Sequence, residues 1–143
     1  MFKEAIQKTT EIKDALKPGL QALGANSQKV RLGDSRLCQG SVDLDNHLKD
    51  QYPNDNRWDY VFGYSDQAYF VEVHPAHTSE VRTVIQKLQW LRFWINSKAP
   101  ELHVMKKRYS WIATNGTHIL KDSKEARMLA ENGLSLPRNR VNV

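Results

Sequence analysis

The segment Trp58-Asp59-Tyr60-Val61-Phe62-Gly63-Tyr64, followed by Ser65-Asp66-Gln67 and then Ala68-Tyr69-Phe70-Val71-Glu72-Val73-His74-Pro75, decides the reading of this chain. Both flanks are rich in aromatic and β-branched residues, and the polar triplet between them has turn chemistry, so the spacing predicts a β-hairpin. The second flank alternates. Tyr69, Val71 and Val73 face one way and Phe70, Glu72 and His74 the other, because successive strand side chains point to opposite faces. Pro75 offers no N–H to a ladder and is expected to end the strand.

Downstream, the pattern changes from period two to period 3.6. Val81, Val84, Leu88, Leu91 and Ile95 form one stripe, which predicts a long helix from Ser79 to Asn96, with Thr78 or Ser79 as cap and Glu80 at its positive end. Ile85, Trp90, Phe93 and Trp94 extend the apolar surface beyond that stripe. Such a helix is sandwiched in the fold or meets another chain, and a homodimer through the Trp90, Phe93 and Trp94 face is one expectation. Beyond Pro100 and the basic run Lys106-Lys107-Arg108, Tyr109–Thr114 reads as a strand. Asn115-Gly116 reads as a hairpin turn with Thr117–Leu120 returning, and Ser123–Glu131 as a helix stopped at Asn132-Gly133. The tail Leu134–Val143 reads as irregular or a short edge strand.

Upstream, Ala5, Ile6, Ile12, Leu16, Leu20 and Leu23 predict a helix over Phe2–Leu23, kinked at Pro18-Gly19 and stopped near Gly24. A short strand at Lys29–Leu32, a loop over Gly33–Gly40 and a helix over Val42–Gln51 capped by Ser41 complete the reading. A long helix between a hairpin and a further strand is a crossover, so the fold class is α/β, a mixed β-sheet flanked by helices.

The chain has 143 residues, 40% hydrophobic and 26% charged, the size and composition of one globular domain. No apolar run approaches the roughly 18 residues of a membrane span, and Met1-Phe2-Lys3-Glu4 lacks the apolar core of a signal peptide. The lone Cys38 has no internal disulfide partner. A cytoplasmic location and no membrane partner are therefore expected. The formal charge of +5 suits an anionic partner such as DNA or RNA as well as a solvated surface. No Walker or Rossmann glycine pattern is present, so no nucleotide cofactor is implied. His74 and His77 have a spacing zinc tolerates, without further ligands to complete a site.

Acids are rare in strands, and a buried carboxylate is costly unless paired or metal-bound. Asp59 and Glu72 lie on the two arms of one hairpin, so their side chains can converge. Two such carboxylates raise one another's pKa unless a cation sits between them, and an all-oxygen site suits Mg²⁺ or Mn²⁺. Purely structural roles are also open. Asp59 can pair with Arg57 or cap a turn, Glu72 can share a hydrogen bond with His74, and Lys87 can be a surface lysine.

In element order, and in Trp58-Asp59 followed by Glu72-Val73-His74, the chain resembles the PD-(D/E)XK, or restriction-endonuclease-like, nuclease superfamily. The resemblance spans residues 2 to about 120, and it implies a core of helix, strand meander, crossover helix and strand. It places Asp59 at the family's first acidic position and Glu72-Val73-His74 at the (D/E)-x-K triplet. Glu4 or Glu11 would be the acidic residue that some members carry on the first helix. The sequence departs from the pattern where His74 stands for lysine, and Lys87 on the following helix is the candidate replacement.

The resemblance implies metal-dependent hydrolysis of DNA or RNA phosphodiesters, with Asp59 and Glu72 holding Mg²⁺ or Mn²⁺ and His74 or Lys87 serving the attacking water or the transition-state charge. Arg57, Arg82, Lys106, Lys107, Arg108, Arg138 and Arg140 would contact phosphates. The alternative is a catalytically inactive descendant that binds nucleic acid or protein.

Overall fold

A computed structural model describes residues 1–143. Its centre is a four-stranded mixed sheet in the order β2 (Cys38–Asp43), β3 (Tyr60–Tyr64), β4 (Gln67–Ala76), β5 (Lys106–Thr117). The first two junctions are antiparallel and the β4–β5 junction is parallel. The β3–β4 hairpin turns on Ser65 and Asp66, both at positive φ, the backbone that a two-residue turn needs to match the strand twist. The parallel junction requires a crossover, supplied by α3 (Val81–Lys98) and the short α4 (Pro100–Val104).

The remaining helices are α1 (Phe2–Gln7), α2 (Leu44–Leu48) and α5 (Lys124–Glu131). All five pack into one large apolar cluster with Val42, Val61, Phe70 and Trp111 from one sheet face. The other face carries Phe62, Val71 and Ile112 under Leu23 and Val30. Its cover is a 3-10 segment, Gln21–Lys29, and a small parallel ribbon of β1 (Val30–Arg31) with β6 (Val141–Asn142). Within α3, Val81, Val84, Ile85, Leu88, Leu91, Trp94 and Ile95 are buried, each such side chain contributing roughly 1.5–3 kcal/mol. No helix is long and apolar enough to cross a membrane.

Several expected elements differ. The first helix ends at Gln7 rather than Leu23. Beyond it the chain runs beside β2, where Lys17 and Ser41 exchange main-chain hydrogen bonds of 2.9 Å. Gly19 and Gly24 adopt positive φ, which an α-helix does not allow. Cys38–Asp43 is a strand instead of a loop and helix start, and Asp43, not Ser41, caps α2 by accepting the Asn46 N–H at 3.0 Å. Pro75 does not end β4. It sits in a bulge where one β4 residue lies opposite Thr114-Asn115-Gly116, after which Ala76 pairs with Thr117. Asn115-Gly116 therefore makes no hairpin: Gly116 bends β5, and no strand returns over Thr117–Leu120.

Candidate functional site: two acids and a lysine at the head of the hairpin

Asp59 stands where β3 leaves the sheet. Its carbonyl accepts the Leu44 and Asp45 N–H groups at 2.9 and 3.2 Å, so the start of α2 holds the backbone in place. Its own N–H donates to Glu72 Oε1 at 3.1 Å, and its Oδ2 accepts the Val73 N–H at 2.9 Å. The regular β3–β4 ladder stops at the Tyr60–Val71 pair, and the Asp59 side chain takes over where the backbone departs. Trp58, wholly buried, anchors the preceding residue against the edge of Tyr109.

Glu72 points from β4 toward α3 and is completely buried. Lys87 reaches down from α3, and its ammonium hydrogen-bonds Glu72 Oε2 and lies 3.8 Å from Asp59 Oδ1. The cation between the two acids is this ammonium. Burial lowers the Lys87 pKa, but the charges of Glu72 and Asp59 outweigh it and the net shift is upward. The Asp59 carboxyl is pushed up to about 7, first by burial and then by Glu72, with Lys87 offsetting only part of this.

His74 adds a second cation. Its Nδ1 lies 3.5 Å from Glu72 Oε2 and its Nε2 3.2 Å from Glu80 Oε2. Carboxylates accept, so with both contacts made both ring nitrogens carry protons. The hydrogen bond to Glu72 raises the His74 pKa, burial lowers it, and Glu80 raises it again. Both ring nitrogens of His74 thus face carboxylates, Glu72 on one side and Glu80 on the other. Glu80 escaped the sequence reading, which treated it as a helix-start residue. The signal was an acid just past the turn that brings α3 back beside the end of β4.

The structure thus brings together Asp59, Glu72, His74 and Lys87, and leaves the other named residues elsewhere. Glu4 pairs with the Met1 amino group at 2.6 Å, and Glu11 accepts hydrogen bonds from Tyr52 and Trp94. Arg57 is not a free phosphate ligand and does not pair with Asp59. Its Nε donates to Asp45 Oδ1 at 3.0 Å and its Nη1 to the Tyr52 carbonyl at 2.6 Å. Arg82 is exposed on α3, beside Met128 and Glu131 of α5. Lys106, Lys107 and Arg108 pair with Gln67–Tyr69, three to five residues or about 10–16 Å down β4 from Glu72. Arg138 and Arg140 are exposed on the tail.

The aromatic face on α3 is not a single exposed surface. Trp94 is buried and donates to Glu11, Trp90 stacks on Trp94 and donates to Asp55 at 2.9 Å, and only Phe93 is exposed. His77 stacks on His118 rather than joining His74. Cys38 is half-buried on β2.

The largest cavity, about 420 Å³, opens along β5 and the tail, not over the carboxylates. The site is assigned to the acids because they converge with a half-buried lysine, whereas a cavity by itself carries no chemistry. No protein-family model matches the chain, and no curated protein and no solved structure matches it.

Proposed function

We propose that this chain is a nuclease-like protein of the restriction-endonuclease-like type, acting on the phosphodiesters of DNA or RNA with Mg²⁺ or Mn²⁺. One observation carries the reading. Lys87, from the crossover helix, lies between acids contributed by the head of β3 and the middle of β4. The sheet order, with two antiparallel junctions followed by a parallel one across α3, supports the same assignment.

The residues fit a hard divalent cation. The donors are carboxylate oxygens, and an Asp59 carboxyl pushed up to about 7 by burial and by the charge of Glu72 would be relieved by a bound cation. Asp59 and Glu72 would hold the ion, which when bound polarises a phosphodiester and lowers the pKa of an attacking water. Lys87 keeps Glu72 ionised and places positive charge beside the reacting phosphate. His74, braced by Glu80, adds charge that stabilises a more anionic transition state. Lys106, Lys107 and Arg108 lie three to five residues down the sheet from Glu72, and Arg138 is bridged to Ile112 on the opposite face, so they stand apart from the carboxylates.

Calorimetric titration with Mn²⁺ tests the metal. Binding is expected, and Glu72→Gln is expected to abolish it. Cleavage of plasmid DNA and single-stranded RNA, compared with an Asp59→Ala variant of unchanged circular dichroism, tests catalysis. A specific observation favours a second reading. The closed Lys87–Glu72 pair and the absence of lysine at position 74 suit an inactive descendant that binds without cutting. Metal binding without cleavage is its signature.

A further inference from the structure

β5 is an edge strand of the central sheet, and only part of its outer edge is covered. The tail adds a single parallel bridge at Ile112–Arg138. The Arg138 N–H donates to the Trp111 carbonyl at 3.1 Å, and the Ala113 N–H donates to the Arg138 carbonyl at 2.8 Å. The outward-facing backbone groups are therefore those of Trp111 and Ala113. The register against β4 is unbroken from Lys106 to Ala113, so the pleat turns the N–H and C=O of Lys107 and Tyr109 outward as well. The Arg138 pair is the tail's only main-chain hydrogen bonding to β5, so the groups of Lys107 and Tyr109 have no partner from the tail.

The cavity of about 420 Å³ lies between this stretch and the tail, with Arg108, Tyr109 and Ser110 on one side and Ser135, Leu136 and Arg138 on the other, and with no Asp or Glu side chain in its lining. Side chains alternate along the edge. Lys106 and Arg108 point to the sheet face of Ile112, and both are exposed. Tyr109 points to the opposite face, where Arg92 lies over its ring at 5.0 Å. Lys107 folds back onto the carbonyls of His103 and Met105.

From this we infer that the free half of the β5 edge is a docking site for an extended acidic segment of a partner protein, which adds to the sheet as a further strand. Unpaired edge groups invite strand addition. The tail bridge shows that the edge accepts a neighbour. Charge selects which one: a second copy paired over the same stretch would set Lys106, Lys107 and Arg108 against like charges, whereas an acidic strand meets opposite ones. The alternation specifies acids facing Arg108 and apolar residues facing Tyr109. The inference stands independently of the nuclease reading, since it uses none of the carboxylate-site residues.

The test uses the full chain and a fluorescein-labelled octapeptide alternating Glu and Val, read by anisotropy and by amide hydrogen exchange. Binding is expected, with slowed exchange at Lys107 and Tyr109. N-methylation of alternate peptide nitrogens on the bonding edge is expected to weaken it about tenfold, the loss of two or so hydrogen bonds. The paired substitutions Arg108→Glu and Arg138→Glu, on exposed side chains that leave the fold intact by circular dichroism, are expected to weaken it by a similar factor. The Asp59→Ala variant should bind as the natural chain does, so a failure of the carboxylate-site reading leaves this result unchanged. No binding, equal binding of the N-methylated peptide, or equal protection of the same amides by an oligothymidylate of matched charge overturns the proposal. The last result would make the groove a general polyanion surface.

Discussion

The main-chain N–H of Asp59 donates to Glu72 Oε1 at 3.1 Å, while the Asp59 carboxylate accepts the N–H of Val73 at 2.9 Å. This exchange uses one oxygen of each acid for the backbone. The other oxygens, Glu72 Oε2 and Asp59 Oδ1, are the ones near Lys87. The spacing of the acids is therefore set by the sheet rather than by flexible side chains, which is how a site under charge strain can persist.

Asp59 titrates near neutrality, so stability should depend on pH there. Its folded pKa of about 7 lies above the ordinary 3.8, so the folded state holds a proton that the unfolded state releases. The favourable contribution is complete below about pH 4 and is lost as pH rises through about 7. The melting temperature is expected to fall across this interval. Asp59→Asn keeps an acceptor for Val73 and should flatten the slope, gaining on the order of 1 kcal/mol at pH 8. Thermal melts of both proteins from pH 4 to 9 provide the check, and parallel curves would count against the shift.

Lys87→Met should be strongly destabilising. Glu72 is wholly buried, and removing its ammonium partner leaves an uncompensated charge, at a cost of about 3–5 kcal/mol. Adding Glu72→Gln should recover much of the loss. Urea denaturation of the two single variants and the double variant gives the coupling energy, and additive effects would show that the pair is not coupled.

His74 leads to a prediction about rate against pH. Its pKa is raised by the hydrogen bond to Glu72 and by Glu80 against burial, so the imidazolium persists to higher pH than in a free imidazole and is lost on further alkalinisation. Any cleavage that relies on this charge should decline over the same range. His74→Lys carries its charge to higher pH, so it should extend activity on the alkaline side. Identical pH–rate profiles for the two proteins would rule out a role for charge at this position.

Gly63 makes room for the first helix. A Cβ there would lie 2.3 Å from Cγ of Phe2, whose ring is fully buried against β3. Gly63→Ala must displace Phe2 and with it α1, and a loss of about 1–3 kcal/mol is expected. Gly63→Ala combined with Phe2→Leu should lose less than the sum of the two single changes in urea denaturation.

The sequence by itself determined the hairpin around Ser65-Asp66, the alternation that puts Phe70 and Glu72 on one face, and α3 with its buried stripe. Each is a local periodic pattern over enough residues to be read without knowing its neighbours. It also picked out Asp59 and Glu72, because acids in strands are conspicuous, while His74 and Lys87 entered only through the resemblance. What only the tertiary structure decided depends on contacts distant in sequence. Cys38–Asp43 has little strand character, with Val42 its only β-branched residue, and it is a strand because β3 offers an edge to pair with. Asn115-Gly116 has the residues of a hairpin turn, yet β5 runs on because Ala76 captures Thr117 across the bulge. The partners of Arg57 and Trp94 are likewise distant, Asp45 for the one and Glu11 for the other. His74 has a second carboxylate partner because Glu80, six residues on, is returned to it by the turn into α3. A side chain's partners follow from how the chain packs, and packing is a property of the whole fold that no local pattern encodes.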